Sequence, residues 1–583
     1  MYLGSLSSLD SGQRESLIVR MNQLLVGQYH ILKVDASVEE LAIKYVGQLK
    51  SEELGKTARG EKVVVSGGLI NSSMPERIDL STFRPLTGRE GGGAWLCHQI
   101  IEQLGIPTFL RAQGTRSTKE IEWMLLNLQG RLLNPVSERA TALWVEEVSG
   151  SKNLMSEVQK VHGEGLRQSA LHWREAGEEL EDYLYNRIDN LLDFKGQRFL
   201  YDLTNTYFEG RMLGSSLAQY GRSKERRSDA LIVSIGLLTN EQGFIRRSHF
   251  HAGNVSEPGT LEAVYKFLEN SPGIVTDAGI GTTANIEQMA SRNIPYICVV
   301  RQGFKSYNIN FEEGEYFKHQ TSNGQQYGLW LQSREHTFEV EGITYTDWLI
   351  FVKSEAKQAK EDSMIQKQKL RFETGLQAIR NSLDKPRGHK TIVQVHQRLG
   401  RLKEKNSRVG KAFQIKTADN GQNITHLNWT YDPEAEQRNG TYIIRRSEPV
   451  TNLLQGWKDY CALTQIEAVN RCCKTDLNMR PVYHQQDNTI QAHLFLTLIA
   501  CTIVQFIRHQ LAKADITASW KEIVRIMDTQ KVVSSEFEND QNECFLLSNW
   551  SKPEPKTKVI YDALQLKYQP HNGFFFKIKK PDK

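Results

Sequence analysis

Between Arg198 and Val300 the chain carries an element pattern that few folds accept. Arg198–Phe208 (RFLYDLTNTYF) is rich in strand formers, Ala230–Leu238 (ALIVSIGLL) reads as a strong strand, and Gly243–Phe250 as another. The turn-like TNEQG joins the last two. A helix over Pro258–Leu268 follows, then a Pro272-Gly273 break and a short strand, Ile274–Thr276, ending at Asp277. A helix from about Thr283 to Arg292 and the strand Ile294–Val300 complete the set. Three strands on short connections, then strand–helix alternation, predict an α/β fold: a mixed sheet flanked by helices.

The rest of the 583 residues leaves room for roughly three to four domains or sub-domains. We divide the chain into an N-terminal region (1–110) that mixes short helices with a Gly-rich break at Gly91, Gly92 and Gly93, and a helical region (111–195) with apolar spacing such as Ile121, Met124, Leu125 and Leu128. The first part of the sheet domain covers 196–301. An interruption spans 302–450, with strand-like pieces around Trp330, Phe338 and Trp348, a long polar helix near Ser354–Ser382, and strands near Tyr442. The second part of the core covers 451–515 and a C-terminal region 516–583.

Seven cysteines without a C-x-x-C pair support neither a disulfide framework nor a zinc ribbon, and a reducing intracellular compartment is expected. The start, MYLGSLSSLDSGQ, lacks the charged and apolar parts of a signal peptide. Asn488–Ile507 is uncharged and about as long as a membrane span. It carries Gln491, His493, Thr497, Thr502 and Gln505, and is expected to be a buried core helix rather than a membrane segment. His484 and His493 are expected as satisfied core or boundary histidines.

The net charge is only +5, yet it is uneven. Lys385–Lys411 holds nine Lys/Arg, among them Arg398 and Arg401, against the single acid Glu404. A second cluster is Arg222, Lys224, Arg226 and Arg227, and the chain ends KIKKPDK. Two internal clusters favour a polyanionic partner over a merely solvated face.

Asp202 stands inside a strand, on the face it shares with Leu200 and Thr204, where a buried charge calls for a partner or a metal. Asp277 lies just past the C-terminal end of a later strand, where ligands bind in open α/β sheets. On a helix over 457–474, Tyr460, Glu467, Arg471 and Lys474 fall on one face beside an apolar stripe of Ala462, Ile466, Val469 and Cys473. A surface ion-pair ladder accounts equally well for the last three of the first set, but not for Tyr460.

Tyr460-x2-Leu463-x3-Glu467-x6-Lys474 resembles the Y-(2)-R-(3)-E-(6)-K signature of the insertion-sequence-4 family of DDE transposases, with Leu463 in place of the Arg. YDLTNTYFEG (201–210), YGRSKERRSDALIVSIGLL (220–238), HAGNVSEPGTL (251–261), VTDAGIG (275–281) and RPVYH (480–484) resemble blocks of its insertion-sequence-1634-type branch, in the same order. The resemblance implies an RNase H-like core interrupted by a β-rich insertion, with Asp202, Asp277 and Glu467 as the catalytic, metal-holding triad. Tyr460 and Lys474 match positions associated with transposon-end DNA, and Arg471, one turn beyond Glu467, is a candidate substitute for the missing Arg. Arg222, Lys224, Arg398 and Arg401 are further DNA contacts in this reading, and the N-terminal region is assigned to end recognition.

Two Mg²⁺ or Mn²⁺ ions are implied, suited to hard carboxylate oxygens. The chemistry implied is cleavage at the ends of an insertion sequence and their joining to target DNA, with a hairpin intermediate. The partners implied are double-stranded DNA with terminal inverted repeats, target DNA and a second copy of the chain, in a prokaryotic, nucleoid-associated setting without a membrane. Two rivals stand beside this: a non-catalytic DNA-binding relative, and a tyrosine-nucleophile nuclease suggested by His249-Phe250-His251.

Overall fold

A computed structural model describes residues 78–570, apart from 195–196, 226, 301–306, 308, 322–323, 433–439 and 540–542. It also describes the backbone of 574–578 and a few isolated positions before residue 78. Most of the proposed end-recognition region, Arg226 and the closing basic run from Lys579 lie outside the described residues. In chain order the strands are β1 (Ile78–Glu90), β2 (Phe199–Tyr207), β3 (Ile232–Asn240), β4 (Ile245–Ala252) and β5 (Ile274–Thr276). Next come β6 (Tyr296–Val300), β7 (Glu315–Gln320), β8 (Gln326–Val340), β9 (Ile343–Ser354) and β10 (Phe413–Asp419). The last five are β11 (Ile424–Tyr431), β12 (Thr441–Arg446), β13 (Lys531–Asn539), β14 (Cys544–Trp550) and β15 (Phe574–Ile578).

The chain divides into two compact units. One holds the described residues up to Asp193, Thr206–Ser216 and those from Arg471 onward. Its centre is the helix Asp487–Lys513, long and apolar enough to cross a membrane, with 83% of its apolar window buried inside the fold. It packs on the helices Thr118–Leu133 and Gly163–Leu192, so its apolar surface is already covered. Ser117 opens the first of these with a reciprocal capping box to Glu120. The same unit contains a four-stranded sheet, β1-β13-β14-β15. Its edge, β1, falls in a region expected to be short helices. The polar IDLSTFRPLTGRE has no helical period, and its antiparallel pairing partner is more than 400 residues away in the chain.

The second unit, Phe194–Asn205 with Leu217–Asn470, is built on a nine-stranded mixed sheet in the order β4-β3-β2-β5-β6-β12-β9-β8-β7. The strand and helix order expected for 198–300 is the observed one, with the helix before β5 formed as a 3-10 turn, Glu257–Val264, running into Tyr265–Leu268. β2–β5 and β5–β6 pair in parallel, β3–β4 antiparallel. Residues 302–450 contribute β7, β8, β9 and β12, which extend this sheet through antiparallel pairing of β12 with both β6 and β9. Between β9 and β12 the chain leaves the sheet as two helices, Glu355–Leu383 and Ile392–Lys405, with the hairpin β10–β11, around a separate core of Phe372, Leu376, Val395, Phe413 and Leu427.

Alternation along β2 decides which side chains meet where. Tyr201 and Leu203 join the apolar core of Leu261, Ile274, Ile286, Tyr296 and Cys298, so Asp202 points to the opposite face.

Candidate active site

The helical segment over that opposite face is broken. A helix Leu453–Cys461 ends at a turn over Ala462 and Leu463, a second runs Thr464–Arg471, and a π-helical turn covers Cys472–Asp476. The single straight helix assumed for 457–474 is therefore corrected. Leu463 stands at the break, half-buried. Trp457 donates its indole N–H to the Tyr442 hydroxyl at 2.7 Å, and the Tyr442 and Tyr460 rings lie 6.2 Å apart. Arg446 reaches Asp459 at 3.4 Å and Glu448 at 3.2 Å, while Arg198 reaches the same two acids at 3.4 and 3.2 Å. Strands β2 and β12 are thereby tied to the Leu453–Cys461 helix, which fixes where the following turn delivers Glu467.

Both oxygens of Asp202 are engaged. Oδ1 faces the Lys224 ammonium at 3.1 Å, and Oδ2 accepts from the Asn470 side-chain amide at 3.1 Å. Burial raises the Asp202 pKa, Lys224 lowers it, and the nearby charges of Asp277 and Glu257 raise it again. Asp277 is held by its own loop: Oδ1 accepts from the backbone N–H of Gly279 at 2.9 Å and of Ile280 at 3.1 Å. The loop Ala278–Gly281 is glycine-rich to make room. A Cβ on Gly279 would lie 2.5 Å from Glu257 Oε2 and 3.0 Å from Asp277 Oδ1. Glu467 is exposed, one helical turn before Asn470. Its charge and that of Asp277 both act on Tyr460, whose phenol is pushed up mainly by burial and then by Asp277.

Asp202 and Asp277 thus lie within reach of each other's charge, Tyr460 feels the charges of both Asp277 and Glu467, and Asn470 brings the helix bearing Glu467 onto Asp202; Glu257 and Asn470 are two neighbours that the sequence alone did not flag. Glu257 lay inside the block HAGNVSEPGTL but looked like any surface acid. Asn470 lies three residues after Glu467, on the same helical face, and that spacing was the available signal. Of the predicted DNA contacts, Lys224 is turned onto Asp202 rather than outward. Arg222 lines a cavity of about 320 Å³ with Asn205, Ser234 and Glu257. Arg398 donates to the Ser382 hydroxyl at 2.7 Å and so helps pack its helix, whereas Arg401 is exposed. Arg471 and Lys474 belong to the other compact unit.

The chemistry of Asp202, Asp277 and Glu257 fits a hard divalent cation: these are carboxylates whose repulsion at Asp202 a cation would relieve, and Glu467 adds a further carboxylate on the helix that reaches Asp202 through Asn470. Among the described residues, the group of acids, histidines and cysteines whose ligand atoms lie within 4.8 Å of one another is Glu138, His484 and His493, in the other unit; Asp202, Asp277 and Glu467 are not drawn together as closely. Each of the three side chains in the histidine group already has a protein partner. His484 pairs with Glu138 at 3.2 Å, and His493 Nδ1 accepts from the Arg131 guanidinium at 3.1 Å with its Nε2 3.3 Å from the Met479 carbonyl. Arg131 beside His493 also opposes a second cation there. His249 and His251 lie 6.3 Å apart on β4, with His251 toward Tyr201 and hence on the face away from Asp202.

No protein-family model matches the chain, and no curated protein does. Among solved structures that do match is a piggyBac transposase synaptic complex with hairpin DNA, at 10% identity, covering 76% of this chain and 81% of that one. The similarity is weak, with a TM-score of 0.33.

Proposed function

We propose that the chain is a metal-dependent DDE transposase of the insertion-sequence-4 type, 1634-like branch, with an RNase H-like core. The main support is the convergence of Asp202, Asp277 and the helix bearing Glu467 and Asn470, although Asn470 is 268 residues from Asp202. The strand order and the family signature around Tyr460 add to it.

Two Mg²⁺ or Mn²⁺ ions held by Asp202, Asp277 and Glu467 would supply Lewis-acid stabilisation of the charge that builds on attacking and leaving oxygens. The chain's own residues do the positioning. Asn470 orients Asp202, the Gly279 and Ile280 amides orient Asp277, and the Arg198–Arg446–Asp459 contacts seat the Glu467 helix. Tyr460 presents a neutral phenol to the DNA, and Arg222, Arg398 and Arg401 offer cations to its phosphates. Water attacks the phosphorus at an element end, the bond to the 3′ oxygen breaks, and that oxygen leaves with a proton as a 3′-hydroxyl. This hydroxyl attacks the opposite strand, closing a hairpin as the flanking strand leaves with its 3′ oxygen protonated; a second water opens the hairpin and restores the 3′-hydroxyl, which then attacks a target phosphodiester whose own 3′ oxygen leaves. Two copies of the chain pair two ends in the prokaryotic nucleoid. Leu463, in place of the signature Arg, favours one second reading: a DNA-binding relative that no longer cuts.

The test is cleavage of labelled duplexes carrying the genomic DNA that borders the gene on either side, with Mg²⁺, by wild type, Asp202→Asn and Glu467→Gln. The transposase reading expects metal-dependent nicks from wild type alone and no protein–DNA adduct. Binding without cutting would support the inactive relative. A covalent adduct, or cutting that survives Asp202→Asn, would overturn the mechanism.

A further inference from the structure

Lys224 is placed where a metal ion would compete with it. Its ammonium lies 3.1 Å from Asp202 Oδ1 and also donates to the Leu203 carbonyl, yet a third of the side chain, 36%, is exposed to solvent. The backbone around it is anchored independently of that contact. Asn205, buried next to the same strand end, accepts from the Lys224 backbone N–H at 3.3 Å and donates its amide to the Arg222 carbonyl at 3.1 Å. The side chain can therefore leave Asp202 while its backbone stays. Beside it is the cavity of about 320 Å³ whose wall includes Arg222, Lys224, Asn205, Ser234 and Ser256. Lys224 thus stands between the Asp202 carboxylate and a solvent-open recess to which Arg222 brings a guanidinium and Glu257 a carboxylate.

Resting on the transposase function proposed above, we propose that Lys224 is a displaceable counter-ion and positioning residue. It neutralises Asp202 while the site is free of metal, a divalent cation expels it, and the released ammonium joins Arg222 in gripping a DNA phosphate at the recess. Two cations cannot share one carboxylate oxygen cheaply, because like charges repel strongly at contact distance. Metal binding thus turns an inward-facing lysine into an outward-facing one, and metal and DNA each raise affinity for the other by the same factor.

The experiment is a Mn²⁺ titration by calorimetry of the full chain, as wild type, Lys224→Ala, Lys224→Arg and Asp202→Asn. It is paired with duplex-DNA binding measured with and without Ca²⁺, and with thermal melts to confirm folding. Without DNA, Lys224→Ala should take up Mn²⁺ about 5- to 10-fold more tightly than wild type, because nothing has to be expelled, whereas Lys224→Arg should stay near wild type. Ca²⁺ should raise DNA affinity of wild type several-fold and leave that of Lys224→Ala unchanged. A lysine that merely braces the site predicts the opposite sign, weaker Mn²⁺ uptake by Lys224→Ala. That result, or unchanged uptake, overturns the proposal while leaving the nuclease reading standing. If wild type and Asp202→Asn take up Mn²⁺ alike, the nuclease reading and this proposal fall together.

Discussion

Asp202 and Asp347 are acids of the same nine-stranded sheet, and their surroundings differ in kind. Asp347, fully buried on β9, accepts from the Tyr296 hydroxyl at 2.7 Å, faces His336 Nδ1 at 2.8 Å and pairs with the Arg445 guanidinium. Its three partners stand on other strands of the same sheet, Tyr296 on β6, His336 on β8 and Arg445 on β12. Asp202 has one amide, one partly exposed lysine and two acidic neighbours. The first arrangement is complete and the second is short of positive charge. A carboxylate with fixed partners holds a sheet together, whereas one crowded by other carboxylates is prepared for a cation that arrives from solution.

The largest effect expected of this difference is on chemistry. Asp202→Asn should cut DNA-end cleavage by roughly 10³-fold or more, the equivalent of several kcal/mol of transition-state stabilisation, while the unfolding free energy from urea titration stays within about 1 kcal/mol of wild type or rises. Asp347→Ala should do the reverse. It leaves Arg445 buried without its carboxylate and should cost about 3–5 kcal/mol in urea unfolding. If Asp202→Asn proves the more destabilising of the two, the contrast is broken.

Asn470→Ala removes the donor to Asp202 Oδ2 and should weaken Mn²⁺ affinity roughly 10- to 100-fold, the scale of lost outer-layer contacts at metal sites; calorimetry reads it directly. Asp528, in the other unit, separates burial from function. Burial first and then the charge of Glu90 raise its pKa to about 7, against the lowering bond from the Gly93 N–H. The folded chain keeps this proton up to about pH 7 and the unfolded chain loses it near pH 4. Stability from this group therefore falls as pH rises through that window. Asp528→Asn should melt a few degrees above wild type at pH 8 and close to it at pH 4.5, with DNA cleavage unchanged. The smallest effect belongs to Arg401→Ala, which should flatten the salt dependence of DNA binding by about one unit of slope.

Much of the second unit was legible because its strands and helices are short, apolar and punctuated by turn residues. Asp202 stood out as an acid inside such a strand, and Asp277 as one just past the end of another. β1 was not legible, since a polar strand with Pro85 carries little period of its own and is fixed by β13, far along the chain. The helix break at Ala462–Leu463 was hidden because neither residue is a breaker. Lys224 looked like a surface cation because its partner, Asp202, is reached only when 217–230 folds back on β2. Glu257 was one acid among many until Gly279 let its carboxylate approach Asp277.

The central claim is that Asp202, Asp277 and Glu467 hold the divalent ions. Anomalous scattering from crystals grown with Mn²⁺ tests it most directly. The account predicts peaks bounded by those three carboxylates and none beside Glu138, His484 and His493. Peaks at the histidine cluster alone, or none at the three acids, would contradict it.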